Sequence, residues 1–425
     1  MKVNFNYTLI IILLLFCSCN KIPTDKSNLI PYRDGIKWGY VNSNKDIIIE
    51  PKFQSANLFY NGLALVSSDY YYGYIDIEGN QIIQFKYDDA RDFTNGIALV
   101  CIDNKWGLID TTGKEITELL YQGIKPFKEG LARFGLDNKC GFFDSLGNIV
   151  IPCKFENAND FSEGYSAIKI NKRCGFIDKN GNIVISPKYD EVRDFSEGLA
   201  RVLLNKKWGY VDKFGNEKIK PVYDQATDFY SDYTKVKLKD RFFIINKNGT
   251  PITSARYEKL GSWESGLVCF KSEGKCGYIN LKGEEVIPTE YDEADDFNDN
   301  LARVKINGKW GFINSNNIFI VQPKYNTASN FQEGKAKIGD GNKIGYINNE
   351  GNEITKIKYD YGLDFINGFA RVMIDKKWGF IDENGNEITK LKFFSIEDFD
   401  NGLALVEIEG KKGYISSKGI EYFSN

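Results

Sequence analysis

An all-β fold made of tandem repeats is predicted for this 425-residue chain by a fixed internal period, a high aromatic content and regularly placed turn residues. A Trp-Gly-aromatic core recurs every 34 residues, with its glycine at Gly39, Gly73, Gly107, Gly141, Gly175, Gly209, Gly277, Gly311, Gly345, Gly379 and Gly413. Phe243 fills the one missing beat, so twelve units tile the chain. Such periods mark solenoids, propellers and arrays, whose units stack because none buries its apolar face alone. Aromatic residues make up 14% of the chain, mostly Tyr and Phe, which suits strands better than helices.

Within the unit, further slots recur. Fourteen residues after the glycine stands an aromatic in all eleven complete copies, from Phe53 and Tyr87 to Tyr359 and Phe393. Twenty residues after it the same holds, from Phe59 and Phe93 to Phe365 and Phe399, with Trp263 as one occupant. A ring can bury about 150–250 Å², so these slots read as a stacked core rather than a ligand face.

Turn chemistry sets the strand boundaries. Asn307-Gly308 separates Leu301–Ile306 from Lys309–Ile313, the signature of a two-residue type I′ hairpin. Asp103-Asn104, Asp137-Asn138, Glu273-Gly274 and Glu409-Gly410 are its equivalents. In Asp178-Lys179-Asn180-Gly181, Asp first and Gly fourth predict a type I turn closed by a left-handed glycine, with Asn317 replacing that glycine once. Three strands per unit follow, for example Leu199–Leu203, Lys207–Asp212 and Glu217–Lys220. The Pro of the Pro-Lys-Tyr-Asp segment marks a strand end or edge. Glu191–Gly198 lacks period-2 alternation and is expected to form a turn of helix or 3₁₀. The motif glycine is expected where a neighbouring strand or ring approaches closely.

A unit of 34 residues is short for a propeller blade, which runs to about 40 residues or more, and rings hold roughly four to eight blades. The expectation is an open, elongated or superhelical array, with a closed propeller-like ring, or two rings, as the alternative.

The N-terminus differs. Lys2, an apolar run from Thr8 to Phe16 and Cys17-Ser18-Cys19 read as a signal peptide, too short to span a bilayer. Phe16-Cys17-Ser18-Cys19 resembles a bacterial lipobox, although Phe16 stands where Leu is usual. That resemblance implies lipidation of Cys19 and anchorage to a membrane surface by lipid alone. Residues 1–18 are thus assigned to the signal peptide, 19–29 to the lipidated end and a polar tether, and 30–425 to one repeat array.

Export permits disulfides, yet Cys140, Cys174 and Cys276 occupy the slot held elsewhere by Trp38, Trp106, Trp208, Trp310 and Trp378. They read as small buried hydrophobes. Bridging Cys140 to Cys174 needs Cα atoms within about 7 Å, whereas a continuous sheet sets equivalent positions about 10 Å or more apart. Free thiols are expected there. No CxxC pair and no histidine occur, so zinc and haem signatures are absent and neither metal nor cofactor is expected.

Lys377-Trp378-Gly379-Phe380-Ile381-Asp382, followed by Gly-Asn, Pro-Lys-Tyr-Asp and Asp-Phe-x-x-Gly-Leu-Ala-x-Val, resembles the WG-repeat family of bacterial proteins across Ile30–Phe423. The resemblance implies a β-rich repeat of secreted or surface proteins with no catalytic residues to carry over. It makes Trp38, Gly39, Trp106, Gly107, Trp208, Gly209, Trp310, Gly311, Trp378 and Gly379 structural motif positions. Phe242-Phe243, Ile344 and Lys412 depart from it.

With 55 basic against 58 acidic residues, nothing points to nucleic acid. Absence of His removes the commonest general base and the Ser-His-Asp and Cys-His arrangements. Asp76, Asp110, Asp144, Asp178, Asp212 and Asp382 share a slot with Asn246, Asn280, Asn314 and Asn348, an exchange that suits turn capping and not acid catalysis. The divergent seventh unit and Tyr70-Tyr71-Tyr72 are the asymmetric places, and at least one of those rings must face solvent. The expectation is a non-catalytic cell-envelope binding or scaffold protein for a protein or glycan ligand. The alternatives are a glycan-active enzyme with a carboxylate pair about 5–9.5 Å apart and a purely structural spacer.

Overall fold

The computed structural model describes residues 29–253, 257–262 and 266–424. The signal segment, Cys19, residues 20–28 of the tether and Trp263 lie outside the described residues, whereas Leu29, the last tether residue, is buried in the core of units one and two. Units are numbered one to twelve by their motif position, from Gly39 to Gly413.

Among the described residues each unit forms its own antiparallel sheet, twelve in all, and most sheets have four strands rather than the three expected. Unit six runs Glu191–Ser196, Leu199–Leu204, Lys207–Asp212 and Glu217–Tyr223, paired in sequence order. The segment read as helical is therefore the first strand. Its alternation is hidden by an irregularity between Val192 and Phe195, both buried. In most units this strand keeps only two residues, such as Asp89–Ala90 or Gln225–Ala226.

The turns form as the sequence predicts. Asn307 and Gly308 both take positive φ (51° and 77°), as do Asp103 and Asn104 (52° and 60°), which is the type I′ conformation. In the second turn, Gly181 N–H donates to the Asp178 carbonyl at 3.0 Å with φ of 79°, and Asn317 substitutes at 62°.

The motif glycine lies opposite a bulge. Trp208 pairs with Tyr223 and Tyr210 with Ile219, so Lys220-Pro221-Val222 bows over Gly209. A Cβ at Gly209 would stand 2.5 Å from the Ile219 carbonyl oxygen and 2.6 Å from the Pro221 nitrogen. The proline sits on the last strand of its sheet, where no partner needs its missing N–H.

Successive sheets pack face to face, so every core cluster joins two units. Phe176, Ile185 and Tyr189 of unit five pack on Val192, Phe195, Ala200 and Val202 of unit six. The ring after the motif glycine meets the next unit's Phe: Tyr40–Phe59 and Tyr74–Phe93 at 4.7 Å, Tyr210–Phe229 at 4.8 Å.

The stack closes. Ile30 and Val41 of unit one pack on Tyr422 of unit twelve, and Trp38 meets Tyr414 edge-on at 6.1 Å. Arg33 bridges Phe423 in parallel, and Ser424 N–H donates to the Arg33 carbonyl at 2.9 Å. The molecule is a twelve-bladed propeller-like ring, the alternative architecture, and not the open array. Closure buries the two terminal faces that an open stack would leave exposed. The continuous-sheet premise behind the cysteine spacing also fails, since each unit owns a separate sheet. The six cysteines of the described residues are unbridged; Cys276 is buried, whereas Cys140 and Cys174 are half-buried.

Candidate binding surface

Polar residues that recur in the sequence are largely engaged in holding one blade to the next. The first grip uses the tyrosine after the motif glycine. Tyr74 Oη donates to the Arg91 carbonyl of the next blade at 2.6 Å, and Arg91 N–H donates to Leu99 O at 2.9 Å. Tyr210, Tyr278 and Tyr346 do the same with Thr227, Asp295 and Leu363. Where Phe142 has no hydroxyl to offer Asn159, the buried Ser166 hydroxyl supplies it at 2.7 Å.

A second strap explains the Trp slot. Arg201 lies 5.3 Å over Trp208, Arg303 4.6 Å over Trp310, and each guanidinium donates to a carbonyl 25 residues on, Ala226 or Ala328. Aspartates complete it: Arg201 Nε meets Asp228 at 2.6 Å and Arg371 Nη2 meets Asp398 at 3.0 Å. Trp310 is buried and Trp208 half-buried under this layer, whereas the buried Trp38 meets Tyr414, the half-buried Trp106 lies under Arg91 and the half-buried Trp378 meets Tyr361. In unit seven Lys235 reaches the Leu260 carbonyl at 2.9 Å over Phe242, and burial lowers its pKa. In unit eight Cys269 and Cys276 replace Arg and Trp together, and the Cys269 thiol reaches the Ala294 carbonyl at 3.3 Å. The two slots also vary independently, since Arg133 keeps its bond to the Ala158 carbonyl beside Cys140 and Leu99 accompanies Trp106, so the sequence signal for this strap is partial.

A third contact joins turn to turn. Glu163 accepts from Gly198 N–H at 3.0 Å, Glu197 from Ser231 at 2.6 Å and Asp232 at 2.9 Å, and Glu333 from Asn367 at 2.8 Å. The turn aspartates act locally. Asp144 accepts from Leu146 N–H, Asn148 N–H and Asn148 Nδ2 at 2.9–3.0 Å. The Asn148 side-chain hydrogen bond holds its carboxyl below the ordinary range. Asn246 makes the equivalent backbone bonds at 3.0 Å, which is why the two residue types exchange.

The asymmetric places differ in kind. In unit seven Phe243 is buried, no fourth strand stands among the described residues, and the Thr253 hydroxyl accepts from the Ile244 N–H at 3.0 Å, as Thr117 and Thr389 do in units three and eleven. Tyr70 faces solvent at 86% exposure. Among the described residues no group of three His, Cys, Asp or Glu could hold a metal.

The ring closes at the junction between units twelve and one, where Ile30 and Val41 meet Tyr422. Two cavities adjoin there. One, about 760 Å³, is lined by Leu29, Ile30, Phe59, Ile77, Leu403 and Tyr422. The other, about 210 Å³, is faced by Asp92, Glu397, Asp398 and Asp400 with Tyr60 and Tyr414. Burial raises the Asp92 pKa, and both its oxygens accept from Asn57 Nδ2 at 3.1 Å. Burial pushes Tyr414 up to about 12, with Glu397, Asp92 and Tyr60 adding to it. A third cavity, about 600 Å³, lies over the strap residues Arg303, Glu333 and Asp364.

Among solved structures, the chain is similar to a eukaryotic initiation factor at 12% identity, covering 69% of this chain and 94% of that one, TM-score 0.34. It is also similar to the extracellular domain of a putative hybrid two-component system of B. thetaiotaomicron at 10% identity, covering 91% and 67%, TM-score 0.26. Hsv2p of Kluyveromyces lactis matches at 10% identity, covering 52% and 90%, TM-score 0.30. The overlap is loose in each case, and none of these proteins' roles transfers. No curated protein matches. The family model described as WG containing repeat matches eleven consecutive segments from 38–72 to 378–411. Its segments run through the motif strands, hairpins and bulges described above, and the chain belongs to the WG-containing repeat family.

Proposed function

We propose that the protein is a non-catalytic binding or scaffold protein of the bacterial cell envelope, anchored by lipid on Cys19 and presenting its ring to another protein. The observation that carries this reading is the use of recurring polar groups. Recurring carboxylates such as Asp144, Glu163 and Asp228 are engaged in a turn, a blade-to-blade contact and a strap. The signal-like N-terminus and the lipobox resemblance support the location.

Cross-linking with mass spectrometry in the native membrane tests the binding role. Recurrent cross-links from one face or junction of the ring to a single partner are expected. Cross-links confined to the chain itself would favour a spacer, and turnover of an envelope glycan by the purified protein would replace the reading with an enzymatic one. For the anchor, Cys19→Ser should abolish fatty-acid labelling and release the protein from the membrane fraction.

A further inference from the structure

Departures from the strap fall side by side across units nine, ten and eleven, and a cleft opens where they meet. Where the strap is complete, the Arg or Lys of one blade reaches an aspartate 27 residues on, as Arg201 reaches Asp228 and Arg371 reaches Asp398. Lys337 reaches Asp364 in the same way at 3.0 Å. For Arg303 that position holds Asn330. Arg303 Nε turns instead to Asp295 of its own sheet at 2.5 Å, and Asn330 Oδ1 is left buried without a hydrogen-bond partner. In the next blade the Trp slot holds Ile344, so a short aliphatic side chain stands where the other blades place a wide ring.

The two openings adjoin. A cavity of about 600 Å³ lies over Arg303, Asn330 and Asp364, and one of about 210 Å³ lies over Lys337, Ile344 and Tyr361. Ala328 and Ser329 line both. Tyr361 is a third departure. It opens the first strand of unit eleven, where its counterparts run from Ser55 and Asp89 to Thr327 and Ser395 and none is aromatic. Its ring is 51% exposed and stands edge-on to Trp378 at 5.9 Å. The packing thus fixes an exposed ring at the rim of the cleft.

The polar groups decide what fits. The charged side chains are already engaged: Arg303 with Asp295, Lys337 with Asp364, Asp299 with Gly334 N–H at 2.7 Å, and Glu333 with Asn367 N–H at 2.8 Å and Gly368 N–H at 2.9 Å. A charged ligand would enter without a counterpart. The backbone of the floor is engaged as well, since Ser329 N–H donates to the Lys337 carbonyl at 3.0 Å and the Ala328 carbonyl accepts from Arg303. A peptide therefore cannot add there as a strand. The side-chain amides of Asn298, Asn330 and Gln332 remain, each with a donor and an acceptor, beside a ring. Sugars present the matching combination, hydroxyls around the edge of a pyranose and C–H groups on its face.

We propose that this cleft binds a short neutral oligosaccharide, with one pyranose stacked on Tyr361 and neighbouring hydroxyls bonded to the amides of Asn298, Asn330 and Gln332. A concave site of this size, with a few convergent polar groups and one aromatic platform, fixes such a ligand in one orientation. The site goes beyond the protein-binding reading above, and either can fail alone: calorimetry with a sugar reads this cleft, whereas cross-linking reads the protein partner.

The test titrates the full chain calorimetrically with chitotriose, maltotriose and cellotriose, and with tetralysine and trigalacturonate as charged controls. Saturable binding of at least one neutral trisaccharide is expected, with a dissociation constant below about 1 mM, and none of either charged probe. Three substitutions return the cleft to the pattern of other blades. Tyr361→Ser installs the residue found at Ser55 and Ser395, Asn330→Asp restores the strap carboxylate, and Ile344→Trp fills the smaller cavity. Each should weaken binding at least about tenfold. A melting temperature for Asn330→Asp at or above that of the wild type separates loss of the site from loss of the fold. No binding of any neutral trisaccharide, preference for a charged probe, or binding indifferent to all three substitutions overturns the assignment.

Discussion

Replacing Gly209 by Ala probes the packing that the repeat motif exists to serve. The new Cβ would lie 2.5 Å from Ile219 O, 2.6 Å from Pro221 N and 2.7 Å from Lys220 C. All three are backbone atoms of the bowed fourth strand, so relief requires moving that strand by about 1 Å toward ordinary contact distance. Overpacking of this kind costs about 1–3 kcal/mol. Loss of glycine freedom in the unfolded chain returns about 0.4–1 kcal/mol, leaving a net loss centred at about 1.3 kcal/mol and at most about 2.6 kcal/mol. Gly107→Ala is the matched control. Its closest contacts are 3.0 Å, two of them to the Leu119 side chain, and unit three has no fourth strand. There the two terms nearly cancel, and a change within about 0.5 kcal/mol is expected. Urea midpoints, with hydrogen exchange across Tyr210 and Ile219 as the local readout, distinguish the two. Equal midpoints for the two variants, or a neutral Gly209→Ala, would refute the close-approach account of the motif.

Arg303→Ala should cost about 2–4 kcal/mol, since it removes a stack on Trp310 and leaves the Ala328 carbonyl without its donor. Arg303→Lys should recover only part of that by the same measurement. The turn aspartates bear on acid stability. Asp110 and Asp144 have folded-state pKa values lowered by side-chain hydrogen bonds from Thr112 and Asn148, and burial opposes this only in part. Their contribution is therefore present above the unfolded value of about 3.9 and lost as pH falls through the lowered folded value. Asp144→Asn should leave neutral stability unchanged and flatten the loss below about pH 4, as followed by circular dichroism. Brief iodoacetamide labelling should modify Cys140 and Cys174 ahead of the buried Cys101 and Cys269, and peptide mapping reads the order.

Much of the blade was legible because local chemistry dictates it. Asn307-Gly308 and Asp178 to Gly181 are conformational instructions that need no tertiary context, and both turns stand where the sequence puts them. The first strand was not legible. Its two or three pairing residues sit among irregular backbone, and an irregularity between Val192 and Phe195 breaks the alternation that marks a strand. Closure was illegible for a different reason. It depends on the small angle between successive sheets summing to a full turn, and no single unit's residues encode that sum. The straps had only a partial signal: Arg201, Lys235, Arg303 and Arg371 accompany Trp208, Phe242, Trp310 and Trp378, but Arg133 and Lys337 accompany Cys140 and Ile344, and the remaining units carry no Arg or Lys there.

The contact of Arg33 with Phe423 and Ser424 also fixes how many units the molecule can hold. In an open stack a gained or lost repeat changes only the length. In a closed one each junction turns by one-twelfth of a revolution, so adding or deleting a unit misaligns the two ends and shares its strain among all the others. Recombination between such similar repeats, which would lengthen or shorten an open array without penalty, is here opposed by the geometry of a single clasp.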